Sequence, residues 1–106
     1  MAGKALNIES LKIMAQKVIP SGGEVWLYGS RARGEAKEDS DWDLLILLNK
    51  PSLTSKDEDD YAFPFVDLGL DYAAAVSPQI YTFEQWKELS FTPYYKNVEH
   101  DKVRIL

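Results

Sequence analysis

The run Leu44-Leu45-Ile46-Leu47-Leu48 constrains this chain more than any other segment. Five consecutive apolar residues are too few to cross a bilayer, which takes about 20. They are the right length for a buried strand. Two carboxylates open that strand, in Asp41-Trp42-Asp43. Alternate residues of a strand share a face, with Cα atoms about 6–7 Å apart. Both carboxylates can therefore converge on one divalent cation, or on two neighbouring ones. Left unpaired, they repel each other and lose solvation. A hard cation removes that penalty, and oxygen ligands favour magnesium or manganese.

The segment before this strand supplies a complement. Glu24-Val25-Trp26-Leu27-Tyr28 reads as a first strand, and Gly29-Ser30 follows it directly. Glycine at that place lets a phosphate approach the backbone closely. Ser30 opens a helical turn, expected over Arg31 to Ala36, whose free N–H groups face an anion. Its hydroxyl adds a donor, and Arg31 and Arg33 add planar donors suited to phosphate oxygens. The two halves imply a nucleoside triphosphate held between a backbone anion site and a carboxylate-bound metal. This arrangement serves attack of a hydroxyl on the α-phosphate with pyrophosphate leaving. Either element alone reads as a turn or a solvated strand end; their order and spacing together set them apart.

Around this constellation helices alternate with strands. Ile8, Leu11, Met14, Ala15 and Val18 mark one face of a helix from Ile8 to Ile19, with Asn7 as its cap. A second helix is expected over Lys56 to Leu70, with Asp57 to Asp60 as a solvated start and Pro64 interrupting it. A third strand is expected over Tyr72 to Tyr81, where Pro78 demands an edge position or a bulge. Thr82 caps a helix from Phe83 to Leu89 with Gln85 as its partner, and Lys102 to Leu106 offers a short strand. The expected fold is α/β (α+β): a small mixed sheet with helices packed on it, one domain over residues 1–106. His100 reads as a surface residue. Trp26, Trp42 and Trp86 read as core or interface residues, with Trp42 facing away from Asp41 and Asp43.

Composition narrows the function classes. With no cysteine, a disulfide scaffold, thiolate-bound zinc and a cysteine nucleophile are excluded, and a reducing cytoplasm suits the chain. Twelve Lys+Arg stand against 17 Asp+Glu, a net charge of −5, which disfavours DNA or RNA as a partner. Residues 1–6 lack a signal-peptide core, so a cytoplasmic protein without a membrane anchor is expected.

Tyr28-Gly29-Ser30, the ten-residue spacer Arg31 to Ser40, and Asp41-Trp42-Asp43 within an apolar strand form a recognisable pattern. The chain resembles the DNA polymerase β-like nucleotidyltransferase superfamily, in the minimal nucleotidyltransferases of bacteria and archaea. Gly-Ser-Arg-Ala-Arg-Gly, Ser-Asp-Trp-Asp-Leu-Leu and the tail Thr92 to Val98 carry the likeness. The resemblance implies the polymerase β-like fold, with Gly29 and Ser30 on the triphosphate and Asp41 and Asp43 on Mg²⁺ or Mn²⁺. It also implies a third acid on the next strand, completing the metal site and activating the attacking hydroxyl. Asp71 is the candidate, one or two steps short of Ala73 or Ala75, where that acid is expected. Its alternative is an exposed residue capping the preceding helix, and Asp67 reads as solvated.

Three functions follow. The first is transfer of AMP from ATP onto a hydroxyl of a protein, with a helical HEPN-type partner in a toxin–antitoxin pair, or a homo-oligomer, completing the site. The second is a nucleotide- or partner-binding module whose site is degenerate for want of a third carboxylate. The third is a small-molecule nucleotidyltransferase of the aminoglycoside type that needs a second subunit. At 106 residues, the acceptor side is expected to come from another chain.

Overall fold

The computed structural model describes residues 5–106; residues 1–4, read above for a leader, lie outside the described part. Its centre is the apolar run. Strand β2 (Trp42–Leu48) lies between β1 (Glu24–Tyr28), antiparallel to it, and β3 (Val76–Thr82), parallel to it. A two-residue strand β4 (Val103–Arg104) pairs antiparallel with β1, so the order is β3-β2-β1-β4. Helices pack on both faces of β2, which is why its sequence is continuously apolar. Leu44, Leu45, Ile46 and Leu48 are at most 1% exposed. Loss of such a leucine to alanine costs about 2–5 kcal/mol in a well-packed core.

The two faces carry different layers. Trp42, Leu44, Ile46 and Leu48 pack with Leu11 and Ala15 of α1 (Ile8–Val18) and Phe65 of α4 (Phe63–Asp71). Leu45 and Leu47 pack with Trp86 of α5 (Phe83–Glu88) and Val98 of α6 (Pro93–Asp101). Asp43 shares the second face by strand alternation, opposite to Trp42, as expected. Asn7 caps α1 by accepting from the Ser10 N–H at 2.9 Å. Thr82 and Gln85 exchange hydrogen bonds at 3.0 Å around the start of α5.

The parallel β2–β3 connection runs through α3 (Ser55–Asp57), a π-helical turn (Glu58–Ala62) and α4. The expected interruption near Pro64 takes this form: the Phe63 N–H bonds back to the Glu58 carbonyl, widening the turn just before the proline. Strand β3 begins at Val76 rather than at Tyr72. The chain turns at Ala73, whose φ of 53° is left-handed, so extended pairing starts only after it. Pro78 lies on the edge strand. The Trp42 N–H bonds to the Ala75 carbonyl, so the odd-numbered residues of β3 bond inward and Pro78 faces the free edge. Its missing N–H therefore breaks no ladder bond and blunts an exposed edge.

One element was not expected, and one expectation is corrected. Residues 93–101 form a helix, begun by Thr92 accepting from the Tyr95 N–H at 3.1 Å and by Pro93 in the first turn. Asp57 is not a solvated helix start. It is 5% exposed, its carboxylate accepts from Lys50 Nζ at 2.8 and 2.9 Å, and Oδ2 accepts from the Thr54 N–H at 2.7 Å. The Lys50 hydrogen bond, then that of Thr54, holds the Asp57 carboxyl below its ordinary value. A carboxyl lowered on folding contributes stability above its unfolded value and loses it as pH falls through the folded value. Asp57→Ala is expected to lower the melting temperature at neutral pH by several degrees. The difference from wild type should shrink on acidification, measured by thermal melts across the acid range.

Candidate active site

Strand β1 ends at Tyr28, and the next residue adopts a conformation that only glycine holds without strain. Gly29 has φ 78° and ψ −159°. A Cβ built there would collide with the Asp43 carboxylate. The backbone of the turn thus stands directly against the acidic side chain on β2. Tyr28 and Asp43 are Cα partners across the β1–β2 pair, which explains the proximity. The Gly29 carbonyl accepts from the Ala32 and Arg33 N–H groups at 3.1 Å, closing α2 (Ser30–Arg33) as a single turn. Gly34, left-handed at φ 73°, ends it well short of the expected Ala36.

Asp41 is exposed just ahead of β2, and Asp43 is half-buried on the strand. Burial pushes the Asp43 carboxyl above its ordinary value; the Asp41 charge adds to this and Arg33 opposes it. Neither aspartate forms an ion pair among the described residues. Their unneutralised charge and hard oxygen donors fit a divalent cation shared with substrate phosphates. They do not make a full protein cage, because no cluster of three or more His, Cys, Asp or Glu able to hold a metal occurs among the described residues.

Asp71 is the reason. It is the last residue of α4, exposed, and lines a cavity of about 690 Å³ with Arg31, Trp42, Asp39 and Ala73 to Ala75. Asp41 and Asp43 do not line that cavity. Asp71, Ala73 and Ala75 all precede β3, which starts at Val76, so the expected strand position for a third acid at Ala73 or Ala75 does not exist. The β3 residue beside Asp43 is Ser77.

The two arginines part company. The Arg31 guanidinium donates to the carbonyls of Lys37, Glu38 and Ser40 at 2.9–3.2 Å and lies 4.3 Å from the Trp42 ring centroid. It braces the loop that delivers Asp41. Arg33 donates to Asp101 Oδ2 at 2.6 Å and pairs with Glu35, tying α2 to the end of α6. Its charge still acts on Asp43. Helix α6 brings a residue that sequence reasoning missed: Tyr94, whose hydroxyl lies 3.3 Å from that of Tyr28. The Thr92-Pro93 helix start was the one local signal that could have found it. His100 is exposed, as expected.

A family model described as a nucleotidyltransferase domain matches residues 8–106. Solved structures share the fold. A toxin–antitoxin structure with AMP-PNP is 16% identical at a TM-score of 0.65, covering 95% of this chain and 73% of the other. A mutant of the toxin–antitoxin MntA–HpeT is 16% identical at 0.60, with the same coverage. A protein described as a nucleotidyltransferase from Sulfolobus solfataricus is 21% identical at 0.52, covering 92% and 77%. No curated protein matches the sequence at a significant level.

Proposed function

The chain belongs to the nucleotidyltransferase domain family, and from that premise we propose that it transfers a nucleoside monophosphate, AMP from ATP, onto a hydroxyl of a partner protein. The observation that carries this reading is the contact between the Gly29 backbone and the Asp43 carboxylate. It puts an anion-binding turn and a cation-binding carboxylate in one place, as a metal-bound triphosphate requires. The Gly29-Ser30 turn receives the phosphates through its N–H groups and the Ser30 hydroxyl. Asp41 and Asp43 hold Mg²⁺ or Mn²⁺, which when bound screens the phosphate charge and favours departure of pyrophosphate. Arg33, whose charge acts on Asp43, reaches the triphosphate only by leaving its pairs with Asp101 and Glu35; Arg31 acts through the loop.

Two similar structures are of toxin–antitoxin proteins, one with AMP-PNP, which supports a nucleotide ligand and a protein partner; a helical HEPN-type partner as acceptor is what the sequence resemblance adds. A cytoplasmic setting belongs to the same reading and agrees with the cysteine-free composition. One observation favours a second reading, in which the chain binds nucleotide or partner without transferring. The strand beside Asp43 offers Ser77, and Asp71 lines a cavity that Asp41 and Asp43 do not. Transfer from labelled ATP separates the two, with the chain, Mg²⁺ and a helical partner encoded beside it. Label on the partner supports transfer. ATP bound without label on any protein supports the binding module. Failure to bind ATP at all overturns transfer and the nucleotide-binding module alike, and leaves only binding of a partner.

A further inference from the structure

Two phenol hydroxyls meet on the sheet face that carries Asp43. Tyr28 is the Cα partner of Asp43 and the residue before Gly29. Tyr94, from the first turn of α6, reaches down to it with hydroxyl oxygens 3.3 Å apart and rings edge-on at 6.3 Å. Tyr81, on the same face of β3, packs its ring against Trp86 at 5.4 Å. Two hydroxyls joined by one hydrogen bond use one of their protons on each other, so one O–H donor is left over. Tyr28 stands opposite Asp43 in the strand register and directly before Gly29, so the pair lies on the sheet face of the carboxylate, next to the Gly29-Ser30 turn.

Helix α6 is held there at both ends. Its start is fixed by the Tyr94 contacts with Tyr28 and with the Trp86 ring, edge-on at 5.6 Å. Its last residue, Asp101, is fixed by Arg33 of α2. The helix therefore spans the elements that carry the anion-binding turn.

We propose that the linked hydroxyls of Tyr28 and Tyr94 are a phosphate-binding element of the site, donating their spare O–H to a triphosphate oxygen and making α6 part of the nucleotide cleft. This rests on the reading that the site takes a nucleoside triphosphate. A neutral phenol is well suited to this position: it donates to an anion beside Asp43 without adding a charge that would compete for the metal-binding carboxylates.

The test is equilibrium binding of a non-hydrolysable ATP analogue with Mg²⁺, and of inorganic tripolyphosphate with Mg²⁺. Wild type is compared with Tyr94→Phe, Tyr28→Phe and the double variant. Phenylalanine keeps the ring contacts and removes only the oxygen. Each single variant is expected to weaken both probes about tenfold, the usual worth of a hydrogen bond to a charged group. The double variant should lose little more than either single one, because the two hydroxyls act as one unit. If Tyr28→Phe folds poorly, Tyr94→Phe decides alone, since Tyr94 is 36% exposed. Unchanged binding in the variants, with wild type binding normally, overturns the inference and leaves the nucleotide reading standing. Loss for the nucleotide but not for tripolyphosphate also overturns it, moving the hydroxyls to the sugar or base. A wild type that binds neither probe overturns both.

Discussion

Gly29→Ala is expected to abolish nucleotide binding and to destabilise the fold, the largest effect expected of any single methyl group in this protein. Two separate penalties act. The backbone at φ 78° and ψ −159° is a region for glycine, and holding a Cβ there costs about 1–3 kcal/mol. The new carbon would also overlap the Asp43 carboxylate, so either the turn or the acid must move. For a domain of this size, each kcal/mol lowers the melting temperature by roughly 4–8 °C. Calorimetry should show that drop. Equilibrium binding should show loss of Mg²⁺–ATP affinity of at least about 100-fold, because phosphate turn and carboxylate no longer coincide. Gly34→Ala is the control. It is also left-handed, at φ 73°, but a Cβ there meets nothing within 4 Å, so it should lose stability from strain alone and keep most binding.

Asp43→Asn is expected to separate stability from function. The change is nearly isosteric and removes a charge that burial and Asp41 both disfavour. The ligand-free variant should therefore melt above wild type. A carboxyl raised on folding costs stability where it is ionised, and the cost fades as pH falls through its folded value. The gain of Asp43→Asn should accordingly be greatest near neutrality and vanish on acidification. In the same variant, Mg²⁺-dependent ATP affinity should fall at least about 100-fold, since one of two carboxylate donors is gone. Asp41→Asn should match it in binding, yet show a smaller gain in melting temperature because Asp41 is exposed. Unchanged Mg²⁺–ATP binding in both variants would falsify the metal assignment.

The site was legible in the sequence where its chemistry is local. Gly29-Ser30 and Asp41-Trp42-Asp43 lie at the facing ends of two neighbouring strands, so a pattern along the chain is also a pattern in space. Arg31 shows the limit of that logic. Its residue type suits a phosphate, yet three carbonyls of the following loop and the Trp42 ring lie nearer to hand. Asp57 shows the same limit in a helix: four acidic residues in a row look equally solvated until Lys50 turns one of them inward. Helix α6 was missed because only Val98 of its nine residues is buried, leaving almost no apolar period to read.

The sequence alone determined the order of elements as far as α5, the central buried strand, and the pairing of the Gly29-Ser30 turn with two carboxylates. Each of these depends on neighbours along the chain, through propensity, alternation and turn chemistry. The tertiary structure alone decided which further side chains join that pair. A left-handed Ala73 delays β3 and leaves Ser77, not Asp71, beside Asp43. A helix 66 residues beyond Tyr28 delivers Tyr94. Such contacts are made across the sheet, where register and packing, rather than sequence spacing, set the distance.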